Sequence, residues 1–286
     1  MAEVLDKNQI SRIFRDARKH QRIGEIIRRF STNKNDIRQT ALKHLDLSNC
    51  RNVLELGCAF GAFTEALKGK LQKDAKITGL DILAEYEPFF LEACRRAGYA
   101  GVFSANGVEQ IIKYPAASFD LIICSYALYF FPGLIEDIAR ILHQGGIFIT
   151  ITHAECDMQE LVEITKKILR QNNLLTGKQT LLIENIVGRF SAQNGGSLLQ
   201  KHFSRVQSID FKNKLIFPAH EINYFLEYFQ FKRSFFLTDT QTIKQGIIDQ
   251  ILCEIENTAA KDKSISMCKD DTIFIASHPL APKDVK

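Results

Sequence analysis

The chain alternates between short, unbroken apolar runs and longer stretches in which apolar residues recur every third or fourth position. The runs at Asn52–Leu56, Ile77–Leu80, residues 100–104, Ser118–Ser125 and Ile147–Thr152 have the length and continuity of strands buried on both faces. Between them the spacing turns helical: Pro88 opens a helix that runs to Ala97 and is ended by Gly98, and Pro132–Gly133 opens one that runs to Leu142. Five strands alternating with helices predict a parallel, doubly wound sheet, with the strand tips at 57–61, 81, 106 and 125 along one edge.

Before this block, Ile10, Ile13, Phe14 and Ala17, then Ile23, Ile26, Ile27 and Phe30, predict two short helices or one bent helix, followed by another through Ile37, Ala41, Leu42 and Leu45. After it come helical patterns over 157–171 and 178–190 and a short helix between Gly195–Gly196 and Phe203. A strand at Val206–Ile216 and a helix from Pro218 with Ile222, Phe225, Leu226 and Phe229 follow. A further helix carries Ile243, Ile247, Ile248, Ile251, Leu252 and Ile255, and a last strand covers Asp271–Ser277.

The chemistry concentrates at the first strand tip, where an apolar run ends in Gly57 and a second glycine, Gly61, starts a helix. Such a turn lets the backbone approach a ligand where a Cβ would intrude. Twenty residues on, Asp81 ends the second strand, where its carboxylate can accept both hydroxyls of a ribose. A dinucleotide fingerprint would need Gly at 57, 59 and 62, and the chain has Ala59 and Ala62. Glu55, Gly57, Ala59 and Gly61 instead resemble motif I of the class I S-adenosylmethionine-dependent methyltransferases, in which an acidic residue precedes G-x-G-x-G. Ala59 is the one departure. The run Ser118–Ser125 continuing through Tyr126, Ala127, Leu128 and Tyr129 resembles motif IV of the same family, and the resemblance spans roughly residues 50–153.

The resemblance implies a Rossmann-like, doubly wound, seven-stranded α/β fold with S-adenosyl-L-methionine as cofactor. It implies cofactor contacts from Glu55, Gly57, Cys58, Ala59, Gly61, Asp81, Ile82, Asn106, Gly107, Ser125 and Tyr126. Asn106 stands where the family usually has an acidic residue bonded to the adenine amino group, with the next N–H facing the ring. Its side-chain oxygen can accept the same bond, and a plain Asn-Gly turn is the alternative. Three regions are expected: an N-terminal helical lid (1–47), the cofactor-binding core (48–154), and a helical substrate cap with the last two strands of the sheet (155–286). The long insertion between those strands is loosely similar in order and length to histamine-methyltransferase-like enzymes.

Composition narrows this picture. At 286 residues and 45% hydrophobic content the chain can bury a large core, and no apolar stretch reaches the ~20 residues that span a bilayer. The polar start, Met1–Ile10, lacks a signal-peptide apolar region, so a cytoplasmic location and no membrane partner are expected. Seven widely spaced cysteines without C-x-x-C suggest reduced thiols, with neither a disulfide framework nor a metal site. Residues 1–45 hold 11 Lys/Arg against 5 Asp/Glu. Arg12, Arg15, Arg18, Lys19, Arg22, Arg28 and Arg29 make either an anion-attracting arm or the solvated face of an amphipathic helix. Ten aromatics between Phe203 and Phe236 are core or, in part, walls for an aromatic or cationic acceptor.

Methyl transfer from a sulfonium is an in-line displacement that rests on alignment and exclusion of water, and a base matters most for a hydroxyl acceptor. His153, directly after the fifth strand, is the candidate base. Tyr129 and Tyr126 are candidates to orient the acceptor. The expected function is methylation of a nitrogen or oxygen of a small molecule. One rival is nucleic-acid methylation, against which stands Cys124–Ser125–Tyr126–Ala127 in place of an N-P-P-Y tetrapeptide. The other is a methyltransferase-like binding protein that has lost catalysis, motivated by Ala59 and Asn106.

Overall fold

The computed structural model describes residues 6–238 and 246–281. Its helices are α1 (Lys7–Phe14), α2 (Ala17–Phe30), α3 (Ile37–Leu42), α4 (Ala62–Ala66), α5 (Glu87–Ala97), α6 (Ile135–Ile141), α7 (Gln159–Gln171), α8 (Leu182–Val187), α9 (Gly195–Leu199), α10 (Ile222–Lys232) and α11 (Ile247–Asp262). Its strands are β1 (Asn52–Leu56), β2 (Lys76–Leu80), β3 (Ala100–Ser104), β4 (Phe119–Ser125), β5 (Leu142–His153), β6 (Phe203–Phe211), β7 (Lys214–Pro218), β8 (Ser264–Cys268) and β9 (Asp271–Pro279). The chain divides into two compact units. One is drawn from Asn35–Thr152, Arg189–Phe211 and Thr272–Lys286, the other from Met1–Lys34, His153–Gly188 and Lys212–Asp271.

The first unit is built on a seven-stranded sheet in the order β3-β2-β1-β4-β5-β9-β6. The pairs β2·β3, β1·β2, β1·β4 and β4·β5 are parallel. The order reverses at β1, whose neighbours β2 and β4 lead away in opposite directions, and in such sheets the crevice for a ligand opens beyond the carboxyl ends at that point. Val53, Leu54, Leu56, Leu121, Ile122 and Ile123 are fully buried, as their unbroken apolar runs demand. Close packing of α5 sets the height of β2. A Cβ at Gly79 would stand 2.5 Å from Cζ of Phe90 and 2.7 Å from Sγ of Cys58. At the end of α5, Gly98 takes a left-handed conformation and donates its N–H to the carbonyl of Cys94, as the sequence indicates.

The second unit holds α1, α2, α7, α8, α10 and α11 together with a two-stranded antiparallel sheet of β7 and β8. Ile23, Ile26 and Phe30 are the buried face of α2. On its polar side Arg22 pairs with Glu227 at 3.2 Å, and Arg29 pairs with Glu221 and lies over the ring of Tyr224. Among the described residues no helix is long and apolar enough to cross a membrane.

One open sequence expectation is resolved, and others need correction. The N-terminal periodicity resolves into two helices, because Asp16 caps α2 by accepting the N–H of Lys19. The fifth strand starts at Leu142 and runs through Gly145–Gly146, with an irregularity in its register against β4 between Phe119 and Leu121. The single strand expected at Val206–Ile216 is two strands in different sheets. The chain is redirected at Asn213, a buried residue whose N–H donates to Asp270, whose side-chain amide donates to Ser31 and whose side-chain oxygen accepts from Asn33. The expectation of seven lone thiols fails at Cys156 and Cys268, which are joined as a disulfide. Ile243 lies outside the described residues.

The packing over β2 generates a stability test. Gly79→Val should lower the unfolding free energy by about 1–3 kcal/mol or more through overpacking against Phe90 and Cys58, read as a reduced urea midpoint with an unchanged slope. An unaltered midpoint would mean that α5 is not held against β2 as described.

Candidate functional site

The turn after β1 is held in left-handed backbone conformations, with φ of +65° at Gly57, +41° at Ala59 and +67° at Gly61. Glycine adopts these values freely, whereas alanine is strained there by roughly 1–3 kcal/mol, so Ala59 explains by its own geometry why glycine is the residue this turn wants. The turn is pinned from β2. Gly57 and Cys58 donate their N–H groups to the carbonyl of Leu80 at 2.8 and 3.2 Å, and Gly61 donates to the carbonyl of Cys58 at 2.8 Å.

Asp81 closes the arrangement. Its Oδ2 accepts the N–H of Ala59 at 3.0 Å, and its Oδ1 accepts those of Ile82 at 2.8 Å and Leu83 at 3.2 Å. Its main chain reaches the next tip as well, its N–H donating to Ser104 and its carbonyl accepting from Gly107 at 2.8 Å. Burial pushes the Asp81 carboxyl above its ordinary range, opposed by the three N–H donors. A carboxylate offers about four lone-pair sites, so acceptor capacity remains beside the three bonds.

Glu55 points from β1 into the core, where the hydroxyl of Thr64 on α4 donates to it. Desolvation raises its pKa from 4.5 to about 7, with Thr64 and the charge of Arg38 pulling the other way. At the tip of β4, Ser125 is half-buried and Tyr126 takes φ of +57°, its N–H donating to Ile151 at 2.9 Å. Backbone strain of this kind clusters at active sites and ligand clamps. A Cβ on Gly57 would stand 2.8 Å from Cβ of Ala127, so the turns after β1 and β4 touch. Tyr129 is buried in the short helical turn Leu128–Phe130, whose Phe130 carbonyl accepts from Arg189 at 3.0 Å. Asn106 is exposed at the tip of β3, while the N–H of Gly107 is already engaged by Asp81.

Residues 54–150 match the family described as a methyltransferase domain. Over 112 residues the chain is 27% identical to the uncharacterized methyltransferase YcgJ of Bacillus subtilis, a match covering 37% of this chain and 43% of that protein. The matched segment is a methyltransferase domain. The aligned part thus spans less than half the length of this curated relative. The crystal structure of Bacillus subtilis YcgJ superposes with a TM-score of 0.51 at 18% identity, covering 91% of this chain and 99% of that one. A Haemonchus contortus phosphoethanolamine N-methyltransferase 2, solved with phosphomonomethylethanolamine and S-adenosylhomocysteine, gives 0.51 at 14% identity, covering 97% of this chain and 61% of that one. Both likenesses are of fold.

The sheet unit contains Glu55, Gly57, Cys58, Ala59, Gly61, Asp81, Ile82, Asn106, Gly107, Ser125, Tyr126 and Tyr129. His153 groups with the other unit, where its Nδ1 lies 2.7 Å from Oδ1 of Asp271. Sequence reasoning missed Arg38. Its guanidinium is gripped by both oxygens of Asp36 at 2.9 and 2.7 Å, which is the main reason its pKa is raised, and it also feels the charges of Tyr126 and Glu55. An arginine on the polar side of an amphipathic helix gives no local sign of such a place.

Glu55 sets a pH dependence whose direction follows from its raised pKa. A carboxyl with a folded pKa above its unfolded value lends stability below the unfolded value, which is lost as pH rises through the folded one. Relative to Glu55→Gln, the wild type should therefore lose of the order of 3 kcal/mol of stability between about pH 4.5 and 7. Denaturation of both proteins across that range checks it. Parallel pH profiles would show that Glu55 is not buried as described.

Proposed function

We propose that this chain transfers the methyl group of S-adenosyl-L-methionine to a nitrogen or oxygen of a small molecule. The observation that carries the reading is the left-handed turn of Gly57, Ala59 and Gly61 clasped by the Asp81 carboxylate at the point where the strand order reverses. The donor set fits the cofactor group by group. Asp81 would accept the ribose hydroxyls, Glu55 would serve the ammonium of the methionine moiety, Arg38 its carboxylate, and the Asn106 side chain the adenine edge. Gly57, Cys58, Ala59, Gly61, Ile82 and Gly107 shape the wall, and Ser125, Tyr126 and Tyr129 serve the reacting end.

Bound S-adenosylmethionine supplies a methyl group already activated on a sulfonium. What remains for the protein is to align the acceptor, exclude water and take a proton where the acceptor carries one. His153 is the residue proposed for that last task. The pairing of Arg22 with Glu227 and of Arg29 with Glu221 supports a small-molecule acceptor over a nucleic acid, because part of the basic N-terminal surface is already neutralised within its own unit. A fold neighbour that methylates phosphoethanolamine is consistent with an acceptor of that size.

Calorimetry with S-adenosylhomocysteine tests the reading. Asp81→Ala should weaken binding by about 1–3 kcal/mol, the range for a lost charge-assisted hydrogen bond, while nicotinamide dinucleotides bind to neither protein. An ammonium against Glu55 favours the ionised carboxylate, so affinity should rise with pH through about 7 in the wild type and stay flat in Glu55→Gln. Dinucleotide binding without a response to the sulfur nucleoside would refute the assignment.

A further inference from the structure

Among the described residues of the sheet unit the half-buried arginines are Arg38, Arg140 and Arg189. The first two have a carboxylate at hand. Arg38 is gripped by both oxygens of Asp36, and Arg140 lies 3.0 Å from Oδ1 of Asp137 while it donates to the carbonyls of Tyr114 and Ile111. Arg189 has no carboxylate within ion-pair reach among the described residues, and its one hydrogen bond runs from Nη1 to the carbonyl of Phe130 at 3.0 Å. Burial lowers its pKa, with no neighbouring charge to oppose the shift. A charge withdrawn from water is costly unless a counter-ion offsets it, and a single carbonyl occupies only one of the several N–H donors of a guanidinium.

The backbone places this group at the carboxyl ends of β4 and β5. Phe130 follows Ser125, Tyr126 and Tyr129 in the turn beyond β4. Beside Arg189, the carbonyl of Phe190 accepts the hydroxyl of Thr152, buried at the end of β5, at 2.7 Å. One residue earlier on β5, Ile151 accepts the N–H of Tyr126. The end of β5 therefore ties down both the tip of β4 and the segment that carries Arg189. The turn after β4 in turn packs through Ala127 against Gly57.

We infer that Arg189 is an acceptor-binding residue that takes a carboxylate or phosphate group of the molecule to be methylated, so that the acceptor is an anion. The inference rests on the proposed methyl transfer and narrows its acceptor class. Arg38 is assigned to the carboxylate of the cofactor, and Arg140 is neutralised by Asp137 away from the edge, which leaves Arg189 as the half-buried cation of this unit with donors to offer. The bond to Phe130 orients the guanidinium without neutralising it. A planar fork meets two oxygens of one anion at once, whereas a cationic acceptor is repelled from it.

NMR of the arginine side-chain N–H signals tests this on the full chain loaded with S-adenosylhomocysteine, titrated at constant ionic strength with benzoate and, separately, with inorganic phosphate. The Arg189 signal is the one missing from Arg189→Lys. A saturable shift of that signal with one anion per chain is expected. Response to benzoate alone assigns a carboxylate acceptor, response to phosphate alone a phosphate one, and response to neither overturns the inference. Arg189→Lys keeps a charge and a donor for the Phe130 carbonyl but loses the fork. It should retain the urea midpoint of the wild type and bind the anion at least about tenfold more weakly. Arg189→Gln, which keeps a donor and drops the charge, carries the same test if the lysine variant is unstable. Affinity for S-adenosylhomocysteine should stay within about twofold in either variant, as for independent sites. A parallel loss of nucleoside and anion binding would put Arg189 on the cofactor and overturn the inference. Labelled S-adenosylmethionine offered with para-aminobenzoate, para-aminophenyl phosphate, their hydroxy analogues and the neutral benzamides reads the acceptor class. Preference for the anions that collapses in Arg189→Lys is expected, and equal use of the benzamides overturns it. Failure of S-adenosylhomocysteine to bind the wild type counts instead against the proposed function, and titration of the unloaded chain separates that failure from a failure of the anion site.

Discussion

One residue, Asp81, ties the tips of three strands together through its carboxylate and its main chain. Asp81 takes N–H groups from the turn after β1 and from its own turn after β2, and its main chain bonds twice with the tip of β3. Its charge is costly at this depth, and the convergent N–H donors are what make it tolerable. Removing the side chain would therefore leave buried amides without partners as well as an empty place for a ribose. The same group supports the scaffold and stands where the ribose of the cofactor is proposed to bind.

Around that clasp the backbone stores strain where a ligand is expected. Gly57 and Gly61 take left-handed conformations at no cost, while Ala59 and Tyr126 take them at roughly 1–3 kcal/mol each. Neighbouring hydrogen bonds hold them there: Leu80 receives the N–H groups of Gly57 and Cys58, and Ile151 receives that of Tyr126. Because a Cβ on Gly57 would meet Ala127, the turns after β1 and β4 are packed as one surface. That surface has a buried carboxyl with a pKa of about 7 behind it and an arginine whose charge reaches both Glu55 and Tyr126.

The strands that build this edge were legible in the sequence because a parallel strand covered on both faces must be an unbroken apolar run, as Leu121–Cys124 is. The turn was legible for a similar reason, since only small residues fit where the backbone must curl so tightly. Features made by long-range pairing were not. The break at Asn213 depends on Ser31, Asn33 and Asp270, and nothing within the run 206–216 announces it. Strand β8 shows only the brief alternation of Ile265 and Met267, and its partner β7 was assigned to the wrong sheet. His153 could be picked from its place after the fifth strand, but Asp271, 118 residues away, could not, and neither could the bridge between cysteines 112 residues apart.

The central claim is that the clasped turn is where the nucleoside of the cofactor lies. A crystal structure of the full chain with S-adenosylhomocysteine tests it most directly. The account predicts the ribose hydroxyls on the Asp81 carboxylate and the amino-acid end of the ligand against the Gly57–Gly61 turn, with the Ala59–Asp81 hydrogen bond retained. A nucleoside bound away from Asp81, or a turn that opens to admit it, would contradict the account.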